Sequence, residues 1–323
     1  MTVRPFRFSV TPPPIQSVQT WRNELSHIAD VGFDAIVIPD HWTDGWSMEP
    51  LVGLSAAALC NSSLRLQTGV LGNDYRHPVQ VHRSAALLDV LSEGRLILGL
   101  GAGWLVSDYE TAGISLDAPG VRVSRLEEAI AVLKGLFRPD PFDFEGKHYC
   151  IRGLEGRPEP VQKPHPPLFI GGGSQRVLSM AGREADIVGI NASLKAGVLG
   201  RHAVVDLLPE RVKEKVGWVA AGAASVGRSI DDIELEMNHW LVRVTAADAE
   251  ANAYLEKIAA RYTIDPDVLA RSPSVLVGTI EACVDTLVER RDTLGISYFQ
   301  LDAGYPPKDL DELAPILEAL SGL

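Results

Sequence analysis

Short apolar runs alternate with amphipathic stretches along the whole chain. Residues 6–10, 35–38, 64–70 and 96–99 are short and nearly continuous in apolar side chains, which predicts buried strands. Between them, 18–31, 49–60 and 78–91 carry helical spacing. In the first of these, Trp21, Leu25 and Ile28 share a face, and Gly32 follows as a C-terminal cap. The pattern resumes in the second half, with strands predicted over 168–170, 187–190, 233–244 and 298–301. Helices are predicted over 122–136, 174–183, 210–224, 279–294 and 310–320. Strands that are apolar on both faces and joined by helices belong to a parallel sheet covered on both sides. Eight strand–helix units predict a single (β/α)8 TIM barrel in one domain spanning 1–323. Three segments exceed a minimal barrel. Residues 140–167 are expected to hold a small hairpin (142–145 with 148–151), 191–209 form a loop rich in glycine and small residues, and 246–274 add one or two helices. Insertions of this kind build lids and binding walls.

Composition narrows the function. The 323 residues carry a net charge of −12, which repels phosphate backbones and argues against a nucleic-acid partner. An anionic cofactor must then be held by local dipoles and backbone amides. Cys60, Cys150 and Cys283 form no CxxC pair, so neither a disulfide framework nor a zinc site is indicated, and no metal is expected. The first ten residues lack an apolar stretch fit for a signal peptide, and no run approaches ~20 apolar residues. The expectation is a cytoplasmic protein, with no membrane partner, acting on a small molecule.

In such barrels the chemistry lies where strands end. Those positions include Asp40 and His41, Thr68 to Val70, Gly99 to Trp104, Gly171 to Ser174, Asn191, Asn238 to Trp240 and Asp302 to Gly304. They are rich in glycine and poor in titratable groups, as suits a flat cofactor held by backbone with one or two proton-handling residues. His41 is of the residue type best suited to take or give a proton. Asp40 either meets the cofactor or fixes its loop. Gly171, Gly172, Gly173 and Ser174 stand between a strand and a helix, where backbone N–H groups and the helix terminus favour a phosphate; the plain alternative is a turn capped by Ser174. Gly99, Gly101 and Gly103 are spaced G-x-G-x-G. The segment 104–121 reads as a loop with at most a short helix, so a Rossmann dehydrogenase is disfavoured and the glycines are expected to give a cofactor ring room. His77 and His82 read as ordinary helix histidines. Trp42, Trp46, Trp104 and Trp240 fall near strand ends, as plugs or as walls of an apolar pocket.

These motifs together resemble the bacterial luciferase-like superfamily, especially the branch using the deazaflavin coenzyme F420. The matching stretches, in order, begin with Gly32-Phe33-Asp34-Ala35, Pro39-Asp40-His41, Leu66-Gln67-Thr68-Gly69-Val70, Arg76-His77-Pro78 and Leu91-Ser92-Glu93-Gly94-Arg95. They continue with Leu98-Gly99-Leu100-Gly101-Ala102-Gly103-Trp104, Phe144-Glu145-Gly146-Lys147-His148-Tyr149, Pro166 through Gly173, and Ala181-Gly182-Arg183-Glu184-Ala185-Asp186. The resemblance implies a barrel that dimerises, with Asp40 and His41 beside the deazaflavin and His41 near its hydride-carrying carbon. It implies a non-proline cis peptide and bulge at Gly69–Val70 behind the ring, and a phosphate site at Gly171, Gly172, Gly173 and Ser174. Thr68, Gly101, Ala102, Gly103 and Asn191 complete the expected cofactor contacts. Lys195, Arg201 and His202 are expected near the cofactor's anionic tail. One departure stands out: sugar-phosphate dehydrogenases of this branch carry a catalytic glutamate after the glycine run, where this chain has Trp104, which favours an apolar substrate. The leading expectation is hydride transfer between F420 and a small organic molecule, with His41 as proton donor or acceptor. The alternatives are an FMN-dependent two-component monooxygenase and a non-catalytic flavin-binding relative.

Overall fold

The computed structural model describes residues 3–43, 45–61, 63–194, 200–301 and 309–323. Eight strands run parallel in chain order: β1 (Arg7–Val10), β2 (Ala35–Ile38), β3 (Arg65–Thr68), β4 (Leu96–Gly101), β5 (Leu168–Gly172), β6 (Ile187–Ile190), β7 (Glu234–His239) and β8 (Ile296–Leu301). Each pairs with the next, and β8 returns to β1 through Arg7↔Tyr298, Phe8↔Phe299 and Ser9↔Gln300, so the sheet closes as the expected barrel. The predicted strand 64–70 is interrupted. Gly69–Val70 is a non-proline cis peptide, and the chain resumes as Leu71–Gly72 beside Leu100 and Gly101.

Local chemistry explains where the helices begin and end. Ser17 and Thr20 form a reciprocal capping box before the helix Val18–Val31, and Gly32 closes it at φ 107°. The helices Pro50–Cys60, Pro78–Leu91, Pro119–Leu136 and Pro209–Ala224 start on proline, whose missing N–H costs nothing in a first turn. Ile97, Phe169, Ile187 and Tyr298 form a buried cluster of their own, with Val70 packed against it. Burial of side chains this size contributes about 1.5–3 kcal/mol each. The Tyr298 hydroxyl donates to Gln67 Oε1 at 2.8 Å, so the one polar tip in that cluster is satisfied.

The predicted strand 233–244 is two strands. β7 stays in the barrel, whereas Leu241–Val244 leaves it and pairs in parallel with Val275–Gly278. Trp240 marks the break; its indole N–H donates to Ser274 Oγ at 3.0 Å. A separate apolar cluster of Val204, Leu241, Leu255, Ala259, Ile264, Leu269 and Val275 anchors the departing strand to the helices Asp248–Tyr262 and Pro266–Ala270. Alternation holds from Ile233 to Asn238 and breaks at His239-Trp240-Leu241-Val242, where the chain changes sheet. The expected hairpin is present, with its second strand at Cys150–Leu154. Among the described residues, no helix is long and apolar enough to cross a membrane.

Candidate active site at the strand ends

His41 follows β2, and its imidazole is 20% exposed. Its Nδ1 lies 2.6 Å from Oδ2 of Asp108, a carboxylate fully buried on the short helix Val106–Ala112 that follows β4. Asp108 also accepts from the Thr43 hydroxyl at 2.7 Å and from the backbone N–H groups of Trp42 and Thr43 at 3.3 and 3.2 Å. Burial pushes this carboxyl upward, but the hydrogen bonds from His41, Thr43 and Trp42 outweigh it and hold the group below the usual carboxylate range. An ionised Asp108 can only accept, so the proton sits on Nδ1 and Nε2 is left for exchange with a reactant. Asp108 was not among the residues expected from sequence.

Aromatic rings enclose this dyad. Trp104 meets the His41 ring edge-on, with centroids 5.7 Å apart, and Trp46 lies at 6.2 Å. Trp42 packs edge-on against Tyr75 at 4.6 Å, and burial pushes the Tyr75 phenol up to about 12. Trp104 therefore occupies with an apolar face the ground next to the imidazole.

Asp40 is engaged by protein. Its Oδ2 accepts from the Gly72 N–H at 2.9 Å and from Arg76 at 2.5 Å, and its Oδ1 accepts from Arg76 at 3.0 Å. Arg76 also reaches Glu49 at 2.7 Å. Of the two roles open to Asp40 in the sequence, these contacts perform the loop-fixing one, tying the end of β2 to the segment after the cis peptide.

The glycines at the end of β4 allow close approach of polypeptide. A Cβ on Gly99 would lie 1.9 Å from the Thr68 carbonyl oxygen, and one on Gly101 would lie 2.5 Å from Val70 Cγ2. One on Gly103, at φ 74°, would lie 1.9 Å from the Tyr109 hydroxyl. Thr68 locks the same crossing: its hydroxyl donates to Gly99 O at 2.9 Å and accepts from Gly99 N at 2.7 Å. Ala102, between Gly101 and Gly103, is half-buried.

At Gly171 a Cβ would stand 3.4 Å from Asn191 Nδ2, 3.5 Å from Phe169 Cε1 and 3.7 Å from Val70 Cγ1, in ordinary contact with all three, so this position, unlike its neighbours, is not fixed by a clash. Gly172 and Gly173 answer to packing, against Val177 and against the Ala192 backbone at 2.3 and 2.2 Å. Ser174 caps the helix Gln175–Glu184, its hydroxyl accepting from Val177 N at 3.5 Å. Beneath the two loops lies Lys215, fully buried. Its Nζ donates to Gly173 O at 2.8 Å, Asn191 O at 2.8 Å and Asp206 Oδ2 at 2.7 Å. Lys215 also escaped the sequence reading, although a signal existed: it stands on the buried face of its helix with Val212, Val216 and Val219. Arg201 and His202 border a shallow depression with Val205, Asp206 and Arg211. Lys195 and Asp302 to Gly304 lie outside the described residues.

Residues 2–296 match the luciferase-like monooxygenase family. The chain belongs to that family. Over 254 residues, 77% of the chain, it is 26% identical to the FMNH2-dependent dimethylsulfone monooxygenase of Pseudomonas putida, and it spans 64% of that relative's length. The coenzyme F420-dependent tetrahydromethanopterin reductase from Methanopyrus kandleri superposes with a TM-score of 0.76 at 20% identity, covering 97% of each chain. An F420-dependent secondary alcohol dehydrogenase in complex with an F420-acetone adduct superposes at 0.79 and 18% identity, covering 98% of this chain and 99% of that one. The luciferase-like fold thus serves relatives that use F420 and relatives that use reduced FMN.

Proposed function

We propose that this luciferase-like protein is an F420-dependent oxidoreductase acting on a small apolar alcohol, ketone or enone, with His41 as the proton donor or acceptor. The carrying observation is the buried Asp108 carboxylate 2.6 Å from His41 Nδ1. The residues suit a flavin-type group: Gly171 presents backbone without a side chain beside Val70 and Asn191, and the capped helix after Ser174 presents N–H groups to a phosphate. When bound, the deazaflavin supplies two-electron hydride chemistry. The chain's own part is the proton. An alkoxide forming on the substrate needs a proton, and an alcohol being oxidised must lose one. His41 Nε2 is the titratable atom left for that exchange, and Asp108 steadies the imidazolium form. Trp46 and Trp104 flank the imidazole and offer the substrate an apolar wall. Trp104, where a carboxylate would serve a sugar phosphate, favours the apolar class.

The second reading, a monooxygenase using reduced FMN from a partner reductase, is favoured by the dimethylsulfone monooxygenase relative. Titrating the purified protein with F420 and with FMN, following tryptophan fluorescence, separates the two. Tighter F420 binding and anaerobic reduction of a ketone are expected. Tighter FMN binding with oxygen consumption on reduction replaces this reading with the second.

The protein also acts as a homodimer in this proposal. The neighbouring helices Pro50–Cys60 and Pro78–Leu91 expose Val52, Leu59, Leu87, Val90 and Leu91, an apolar face suited to a second copy. Light scattering should give twice the chain mass of 34.9 kDa, and Leu87→Glu with Leu91→Glu should halve it. A monomeric parent refutes the dimer. Cys60, Cys150 and Cys283 are free thiols, which supports a reducing, cytoplasmic setting.

A further inference from the structure

Lys215 is a cation with no exposed surface, placed where a buried apolar residue would ordinarily stand. An ammonium has three donors, and here each has an acceptor: Gly173 O, Asn191 O and Asp206 Oδ2, at 2.8, 2.8 and 2.7 Å. The two carbonyls belong to different strand ends, the loop after β5 and the loop after β6. Asp206 completes the clamp by accepting from the Ser193 N–H at 2.8 Å. The loops touch backbone to backbone, since a Cβ on Gly173 would lie 2.2 Å from the Ala192 carbonyl carbon.

In a trans peptide the C=O and the following N–H point in opposite directions. The peptides 173–174 and 191–192 are trans, because the cis bonds lie elsewhere. With both carbonyls turned onto the buried amine, the Ser174 and Ala192 N–H groups are turned away from it. Among the described residues, neither N–H meets a backbone acceptor. We infer that Lys215 is a positioning residue for the cofactor phosphate: it never touches the anion, but it fixes two carbonyls so that the opposing N–H groups stand ready to receive one. The inference rests on the phosphate-site reading above and deepens it. It assigns phosphate recognition to a clamp spanning β5 and β6 where the glycine run had suggested a single loop.

The test compares each cofactor with its phosphate-free chromophore: F420 with 8-hydroxy-5-deazariboflavin, and FMN with riboflavin. Dissociation constants are measured by fluorescence for the whole chain. The wild-type protein should bind the phosphorylated member of its preferred pair at least tenfold more tightly. Lys215→Met should lower that ratio about tenfold, the size expected when charge-assisted contacts lose their alignment. Its affinity for the phosphate-free chromophore should change less than about threefold. Asp206→Asn, which keeps size and an acceptor oxygen, should lower the ratio in the same direction by a smaller factor, and it carries the test alone if Lys215→Met does not fold. A ratio unchanged in the variants, or equal losses for both members of the pair, overturns the inference and leaves Lys215 a structural residue. A wild-type ratio near one overturns the phosphate site itself, and the positioning role with it, while the proton role of His41 is judged by its own experiment.

Discussion

The two sides of the barrel mouth use one device to different ends. Beside β2, a buried anion, Asp108, orders an imidazole that can gain or lose a proton. Across the mouth, a buried cation, Lys215, orders backbone dipoles that cannot. In each case a charge is taken out of water and every partner it needs is supplied, since an unpaired buried charge is severely destabilising. What differs is the group being held. A titratable ring gives a site that acts on rate, and fixed N–H groups give a site that acts on affinity. If the comparison is sound, damage on the His41 side falls on turnover and damage on the Lys215 side falls on cofactor binding.

The largest effect should come from His41→Ala. Loss of a general acid–base costs ~10²–10⁴ in rate, and the cofactor dissociation constant should move less than about threefold. Stopped-flow oxidation of the reduced cofactor by substrate measures the first, and fluorescence titration the second. Full activity in this variant ends the proton role, and a large rise in the dissociation constant erases the proposed division between the two sides. Asp108→Asn should cost about 10², because the amide removes the charge that steadies the imidazolium and allows the ring to turn its proton to the other nitrogen. An Asp108→Asn enzyme as fast as the parent would show that the 2.6 Å contact is structural only. Trp104→Ala, smaller still, should raise KM for an apolar substrate about tenfold with kcat less affected, since it removes wall and leaves the dyad. Equal losses in KM and kcat would instead place Trp104 in orienting the ring.

How legible all this was in the sequence depended on whether the signal was periodic. The barrel showed because each strand is a short apolar run and each helix an apolar stripe, and several helix limits were set by proline, serine or glycine at the caps. His41 stood out by following such a run directly. Asp108 did not, because it lies 67 residues from its partner on a seven-residue helix too short to show a period. Lys215 left a trace, a charge on a buried face, that helical spacing alone does not connect to Gly173. The glycines at the end of β4 carried a signal of close approach, but that Thr68, Val70 and Tyr109 are among the atoms approaching is a matter of three-dimensional packing. The division of 233–244 left a trace, the break in alternation at His239-Trp240-Leu241-Val242, but a local break does not say which strand the departing segment pairs with.

The smallest effect concerns a histidine that lacks what His41 has. His82 is buried against Phe137, with ring centroids 4.7 Å apart, and no carboxylate faces it among its described contacts. Burial pushes its pKa down from 6.5 to about 4. The folded state therefore keeps His82 neutral where the unfolded chain protonates it. Its stability is whole above pH 6.5 and declines as pH falls toward 4, because the unfolded state then binds the extra proton. By pH 5.5 the loss attributable to this one group should be about 1 kcal/mol. Other carboxylates and histidines titrate over the same range, so the measurement must be a difference: urea unfolding of the parent and of His82→Phe at pH 7.5 and at pH 5.5. The variant should lose about 1 kcal/mol less than the parent between the two pH values, whatever its stability at pH 7.5. Parallel losses would mean that His82 finds a proton-stabilising partner in the folded state. The contrast on which the mouth is read, a histidine given an anion against one denied it, would then have to rest on His41 alone.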